Sequence, residues 1–157
     1  MAKKTLKKHF SAEEMSISFD LNALAGMMSM FANDLLFLHH HAIGEKFDTI
    51  HSITEELYKK ALEHLDTLSE QAIIWKEYIG NYNFLSDALL EFYGQPCEEQ
   101  KIDWSLLVHV LDDKGNTIID ALRSLSNGYT SDVKSLIDEI VLFWNKEINY
   151  KNAARKA

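Results

Sequence analysis

The chain has 157 residues, 46% of them hydrophobic, and a formal net charge of −8. That is the size of one domain, with enough apolar material for a core that needs no disulfide, and the single cysteine, Cys97, excludes an intrachain disulfide and fits a reducing compartment. A body this acidic repels nucleic acid on average and attracts cations. No run of membrane-spanning length and no apolar signal core after Met1-Ala2-Lys3-Lys4 are expected, so the reading is a cytoplasmic protein with no membrane partner.

One proline and six glycines are too few for a turn-rich β fold, and the apolar residues recur at helical rather than alternating spacing. Residues 1–17 read as a flexible tail in which Lys3, Lys4, Lys7 and Lys8 make a local basic patch. A first long helix is predicted over about 20–41, opened by Asp20 and carrying Leu21, Leu24, Ala25, Met28, Phe31, Ala32, Leu35 and Leu36 inward. Gly44 ends it, because glycine tolerates left-handed backbone. A second long helix is predicted over about 46–77, with Phe47, Ile50, Ile53, Leu57, Ala61, Leu65, Leu68 and Ala72 as its apolar stripe.

Gly80-Asn81 interrupts the pattern, and a short helix is expected at about 82–92, stopped by Gly94-Gln95-Pro96. A third long helix spans about 103–126, opened by Asp103. After the Asn127-Gly128 turn, Thr130 or Ser131 caps a fourth, about 131–151, with Val133, Leu136, Ile137, Ile140, Val141, Phe143 and Trp144 inward. The expected architecture is all-α: a ferritin-like four-helix bundle over 18–151, with a short helix in the connection between the second and third long helices and a tail at 152–157.

The second long helix carries the chemistry. At 100° per residue from Phe47, His51 falls near ~40°, Glu55 near ~80°, Asp66 near ~100° and Glu70 near ~140°, one band that also holds Tyr58, Leu62, Ile73 and Lys59. Carboxylates mixed with large apolar groups read as an interface rather than a solvated face. His51 and Asp66 are ~22 Å apart along the axis, far beyond what one ion spans. Two such helices packed antiparallel about a two-fold axis put His51 and Glu55 of one copy opposite Asp66 and Glu70 of the other, twice over. His39, just before the Gly44 turn, is placed to fold back toward His51. Imidazole plus carboxylate suits Fe(II), Zn(II) or Mn(II). Neither a His-Glu-x-x-His zinc-protease motif nor the Glu-x-x-His of intrasubunit di-iron sites is present.

With His39, Gly44, Phe47, His51, Glu55, Asp66 and Glu70 at these spacings, and the run His64-Leu65-Asp66-Thr67-Leu68-Ser69-Glu70, the chain resembles the Dps (DNA protection during starvation) miniferritins. The Thr130-x-Asp132 helix entry and Trp144 are weaker echoes. The resemblance covers about 18–150, and its specific part is 38–70. It implies a hollow homododecamer that oxidises Fe(II), usually with hydrogen peroxide, at sites shared between subunits, and stores ferric mineral inside. His39 and His51 of one subunit and Asp66 and Glu70 of its neighbour would be the catalytic iron ligands, with Glu55 close by, two irons to a site and zinc as a possible substitute. The lysines at 3, 4, 7 and 8 would be the DNA contact, their avidity supplied by many copies, which would place the shell at the nucleoid.

Three features depart from the family pattern. His40 stands where a tryptophan usually follows the first histidine, so His40 and His41 become candidate extra ligands. Asp48 adds a carboxylate near His51, and the usual Gly-Gly-x-Pro segment is replaced by residues 75–83. Two rival readings follow: a non-catalytic DNA-compacting or structural shell of the same kind, and a helical bundle that binds zinc without redox chemistry.

Overall fold

Two aspartates start the helices that frame the molecule. Asp20 and Asp103 are both in extended conformation, and their carboxylates accept from Ala23 N–H (2.7 Å) and Leu106 N–H (2.9 Å), so each supplies one of the acceptors a helix N-terminus lacks. The computed structural model describes residues 17–77 and 87–157, all-α with no strand among them. The order is α1 (Leu21–His40), α2 (Phe47–Ile74), α3 (Asp87–Tyr93), α4 (Trp104–Arg123), α5 (Ser131–Asn145), a π-helical turn (Lys146–Lys151) and α6 (Asn152–Lys156). The lysines at 3, 4, 7 and 8, and the first part of the expected short helix, lie outside the described residues.

α1 and α2 form an antiparallel hairpin through Gly44, whose φ of 92° is one that side chains resist. α1 is tied to α4 at both ends by backbone bridges. Phe19 N–H donates to Ser124 O and Ser126 N–H to Phe19 O at one end (both 2.8 Å), and Ile43 N–H donates to Ile102 O and Ile102 N–H to His41 O at the other (both 2.9 Å). The start of α1 therefore meets the end of α4, and α4 runs parallel to α2. α5 returns after Gly128, at φ 105°.

Side chains from three helices meet at Trp144, which is fully buried. Phe31 of α1 packs edge-on against it at 5.0 Å, and its Nε1 donates to His64 Nδ1 of α2 at 2.9 Å. Leu107, Leu111, Ile118 and Leu122 bring α4 into the same core. A buried polar knot pins α3. The Asp34 carboxylate accepts from the Tyr93 hydroxyl and from Cys97 N–H (2.9 Å), while the buried Lys114 ammonium donates to Tyr93 O (2.8 Å) and lies 4.4 Å from the Tyr93 ring centroid. Burial pushes the Tyr93 hydroxyl up, with Asp34 adding to it, and pulls Lys114 down.

Several expectations are corrected. α2 stops at Ile74, not near Glu77: Lys76 takes a left-handed φ of 58°, its N–H bonds Ile73 O, and Glu77 N–H bonds Ala72 O, the two bonds of a Schellman stop. The freed Glu77 carboxylate then caps α1, accepting from Asn22 N–H (3.0 Å) and the Tyr129 hydroxyl. α4 ends at Arg123. Residues 152–157 are not a loose tail: the helix continues to Lys156, held by the buried Asn152, whose amide donates to Val108 O at 3.0 Å, and by Trp104 Nε1 on Arg155 O. Phe47 is 42% exposed rather than inward, and Leu36, Ile53, Leu65, Leu136, Val141 and Phe143 are only half-buried. α1 is long and apolar enough to cross a membrane by length and composition alone, contrary to the expectation of no such run. Its Leu24, Met28, Phe31 and Leu35 are buried against the other helices, so that apolarity serves the core.

Candidate metal centre

The hairpin turn at Gly44 brings the last turn of α1 against the first turn of α2, and with it His39 against His51. The two rings stack at 3.7 Å between centroids with 25° between planes. The hydrogen bonds cross over: His39 Nδ1 lies 2.9 Å from His51 O, and His51 Nδ1 lies 3.3 Å from His39 O. A carbonyl only accepts, so each Nδ1 carries a proton, which in the neutral imidazole leaves the lone pair on Nε2; the tautomers are assigned from these partners. Neither Nε2 has a hydrogen-bond partner among the described residues. Nδ1–H on a backbone carbonyl with Nε2 free is the arrangement that orients a histidine for a metal.

Thr54 completes the support. It is fully buried, its Oγ1 donates to Ile50 O at 2.7 Å, and the same oxygen lies 3.2 Å from His39 Nδ1. The sequence reading passed over Thr54. The signal was available: it stands on the apolar stripe of α2, where a hydroxyl must find a partner. Two aromatic rings flank the pair, Phe47 at 5.3 Å from His51 and Tyr58 at 5.8 Å from His39.

Glu55, one turn after His51, is half-exposed and ion-paired with Lys59 at 2.8 Å. Its carboxyl is held below the usual range by the Lys59 hydrogen bond and charge, with smaller contributions from His39 and His51, which places it in the field of both rings.

The remaining candidates stand apart. Asp66 and Glu70 are exposed on the same helix, at the far end, and make no hydrogen bond or ion pair among the described residues. His40 is exposed, its ring 5.7 Å from that of His39. His41 is turned back, stacked on Phe37 at 4.0 Å with Nδ1 on Phe37 O. Asp48 is exposed in the first turn of α2. Among the described residues no group of three or more His, Cys, Asp or Glu converges on one point within a single chain. One chain thus holds a stacked imidazole pair with a carboxylate one turn on, and a separate exposed carboxylate pair.

The face that carries them is also apolar. Leu62 and Ile73 are 47% and 62% exposed on the same band of α2 as His51, Glu55, Asp66 and Glu70, and Phe47, 42% exposed, borders it. No family model, curated protein or solved structure matches this chain.

Proposed function

We propose that the chain is a Dps-type miniferritin: a ferritin-like four-helix subunit that assembles into a homododecamer and oxidises Fe(II) at sites shared across a two-fold interface through α2. The observation that carries this reading is the crossed His39–His51 pair, with no hydrogen-bond partner for either Nε2 among the described residues, at the start of the α2 face whose far end exposes the carboxylates of Asp66 and Glu70. The midpoint of His51 and Glu70 coincides with that of Glu55 and Asp66, between Lys60 and Ala61. One antiparallel pairing about that point therefore brings both histidine-side residues opposite both carboxylates, and it sets the exposed Leu62 beside the axis, where it gains a hydrophobic partner.

The helix order supports the bundle. α1 opposes α2 and α4, α4 runs parallel to α2, and a long connection joins those two, which is the ferritin-like path.

Fe(II) is substrate and cargo here. His39 and His51 would supply nitrogen donors through Nε2, each ring oriented by its Nδ1–H bond to a backbone carbonyl. Asp66 and Glu70 of a second copy supply the charge that holds Fe(III) better than Fe(II). Two Fe(II) ions each give one electron to hydrogen peroxide, which leaves as two waters after taking up two protons. The product is ferric iron without hydroxyl radical, passed to the acidic interior for storage in a cytoplasmic shell. DNA binding through Lys3, Lys4, Lys7 and Lys8 belongs to the same proposal.

The test is complementation. His51→Ala and Asp66→Ala particles should each lose most peroxide-driven Fe(II) oxidation while keeping a dodecameric mass by light scattering. Co-assembled from equal amounts of both variants, about a quarter of the sites should be intact, because each mixed pair keeps one of its two sites. A monomer of 18.1 kDa, or no recovery on mixing, would sink the shared site.

A further inference from the structure

We propose that Lys59 is a built-in competitor at this site: its ammonium and an incoming divalent cation draw on the same Glu55 carboxylate, and Lys59 must let go for Glu55 to serve the cation. The inference rests on the metal-site reading above. Among the described residues, Lys59 is the one cation bound to a candidate ligand, with Nζ 2.8 Å from Glu55 Oε1, and neither side chain has another hydrogen-bond partner there.

The order along the helix, glutamate four residues before lysine, is the one in which such pairs form best. Both side chains are about half in water, so the pair is weak and easily exchanged. It therefore acts as a threshold rather than a block. A single half-site, with two neutral imidazoles and one pre-engaged carboxylate, holds a divalent ion poorly. The completed site adds Asp66 and Glu70 from a second copy, and that charge outcompetes one ammonium. Lys59 thus biases metal capture toward the assembled particle.

The probe is Co(II), whose binding to the full-length assembled protein is read by calorimetry and by visible absorbance, with no oxidation involved. Lys59→Met should bind Co(II) about three- to tenfold more tightly than wild type at low salt, since the Glu55 carboxylate then has no ammonium 2.8 Å away to give up before it serves the ion. That gain should shrink as salt screens it and should largely vanish on a Glu55→Gln background. Lys59→Arg should behave like wild type.

If Lys59→Met leaves affinity unchanged or weakens it, or if its gain is as large with Gln at 55, the competitor role is wrong. His51→Ala separates the two levels. Co(II) binding that is lost in His51→Ala but indifferent to Lys59→Met removes only this inference. Co(II) binding equal in wild type and His51→Ala, or absent from both, removes the site and the inference together.

Discussion

His39 and His51 lie face to face across the α1–α2 hairpin, each with Nδ1 on the other's backbone carbonyl. Each Nδ1 is anchored on backbone rather than on the other's ring, so each imidazole is oriented by its own bond and the stacked pair is held in place without a further ligand. Thr54 is the third member, because its hydroxyl sits behind His39 Nδ1.

Thr54→Val keeps the shape and removes only that oxygen. We expect Co(II) or Fe(II) affinity to fall on the order of tenfold, as for loss of a group supporting a ligating histidine, with a stability loss of about 1 kcal/mol. Calorimetric titration beside urea unfolding measures both. Unchanged affinity would show that the two carbonyls orient the rings alone.

A second expectation concerns pH. Burial first, and then the charge of Lys60, pull His64 down to about 4, and geometry agrees: Nδ1 accepts from Trp144, so a proton there breaks that bond. The folded value lies below the unfolded value of ~6.5. Between these values the unfolded chain binds more protons, so stability is full above ~6.5 and is lost as pH falls toward 4. Discounted for the partial exposure of His64, the loss is roughly 2 kcal/mol. Urea midpoints between pH 7 and 4.5 should drop in wild type, and His64→Gln, which keeps an acceptor without titrating, should flatten that part of the slope.

Lys76 is the one non-glycine residue in left-handed backbone among the described residues. Glycine there costs nothing sterically, so Lys76→Gly should stabilise by about 0.5–1 kcal/mol, raising the melting temperature by roughly 1–4 °C. A lower melting temperature would show that the Lys76 side chain makes a compensating contact.

These cases show what was legible in the sequence. Helix starts at Asp20 and Asp103 were readable because each has a local chemical cause that a side chain announces, and the left-handed turn at Gly44 was readable too, although α1 itself already stops at His40, with His41 as its cap. The end of α2 was not, because a lysine occupies the position where glycine gives the signal. The approach of His39 to His51 followed from the Gly44 turn, but the crossed bonds and Thr54 depend on how far α1 and α2 sit apart, which no spacing encodes. Phe47 fell on the apolar stripe by periodicity yet lies exposed, since a helical wheel does not say where the neighbouring helices stop covering it. The continuation past Lys151 was hidden for a related reason. A π-helical turn shifts the phase of the apolar residues, and a period of 3.6 then breaks although the helix does not.

That turn carries the last prediction. A Cβ built on Gly115 of α4 would lie 2.5 Å from both Cδ1 and Cγ1 of Ile148, inside the π-helical segment. No rotation of one methyl relieves two such contacts, so Gly115→Ala must push the C-terminal helix outward, at a cost of about 1–3 kcal/mol for overpacking. The displacement should reach Asn152 and Trp104, whose bonds to Val108 O and Arg155 O hold the last turns in place. Faster amide exchange over 146–156 would report it, along with a lower urea midpoint. Ile148→Ala alone should also destabilise, by leaving a cavity. Combined with Gly115→Ala it should cost clearly less than the sum, because the added methyl enters the space that the truncated Ile148 vacates. Strict additivity would mean that the glycine is there for helix flexibility rather than for the close approach of α4 to the π turn.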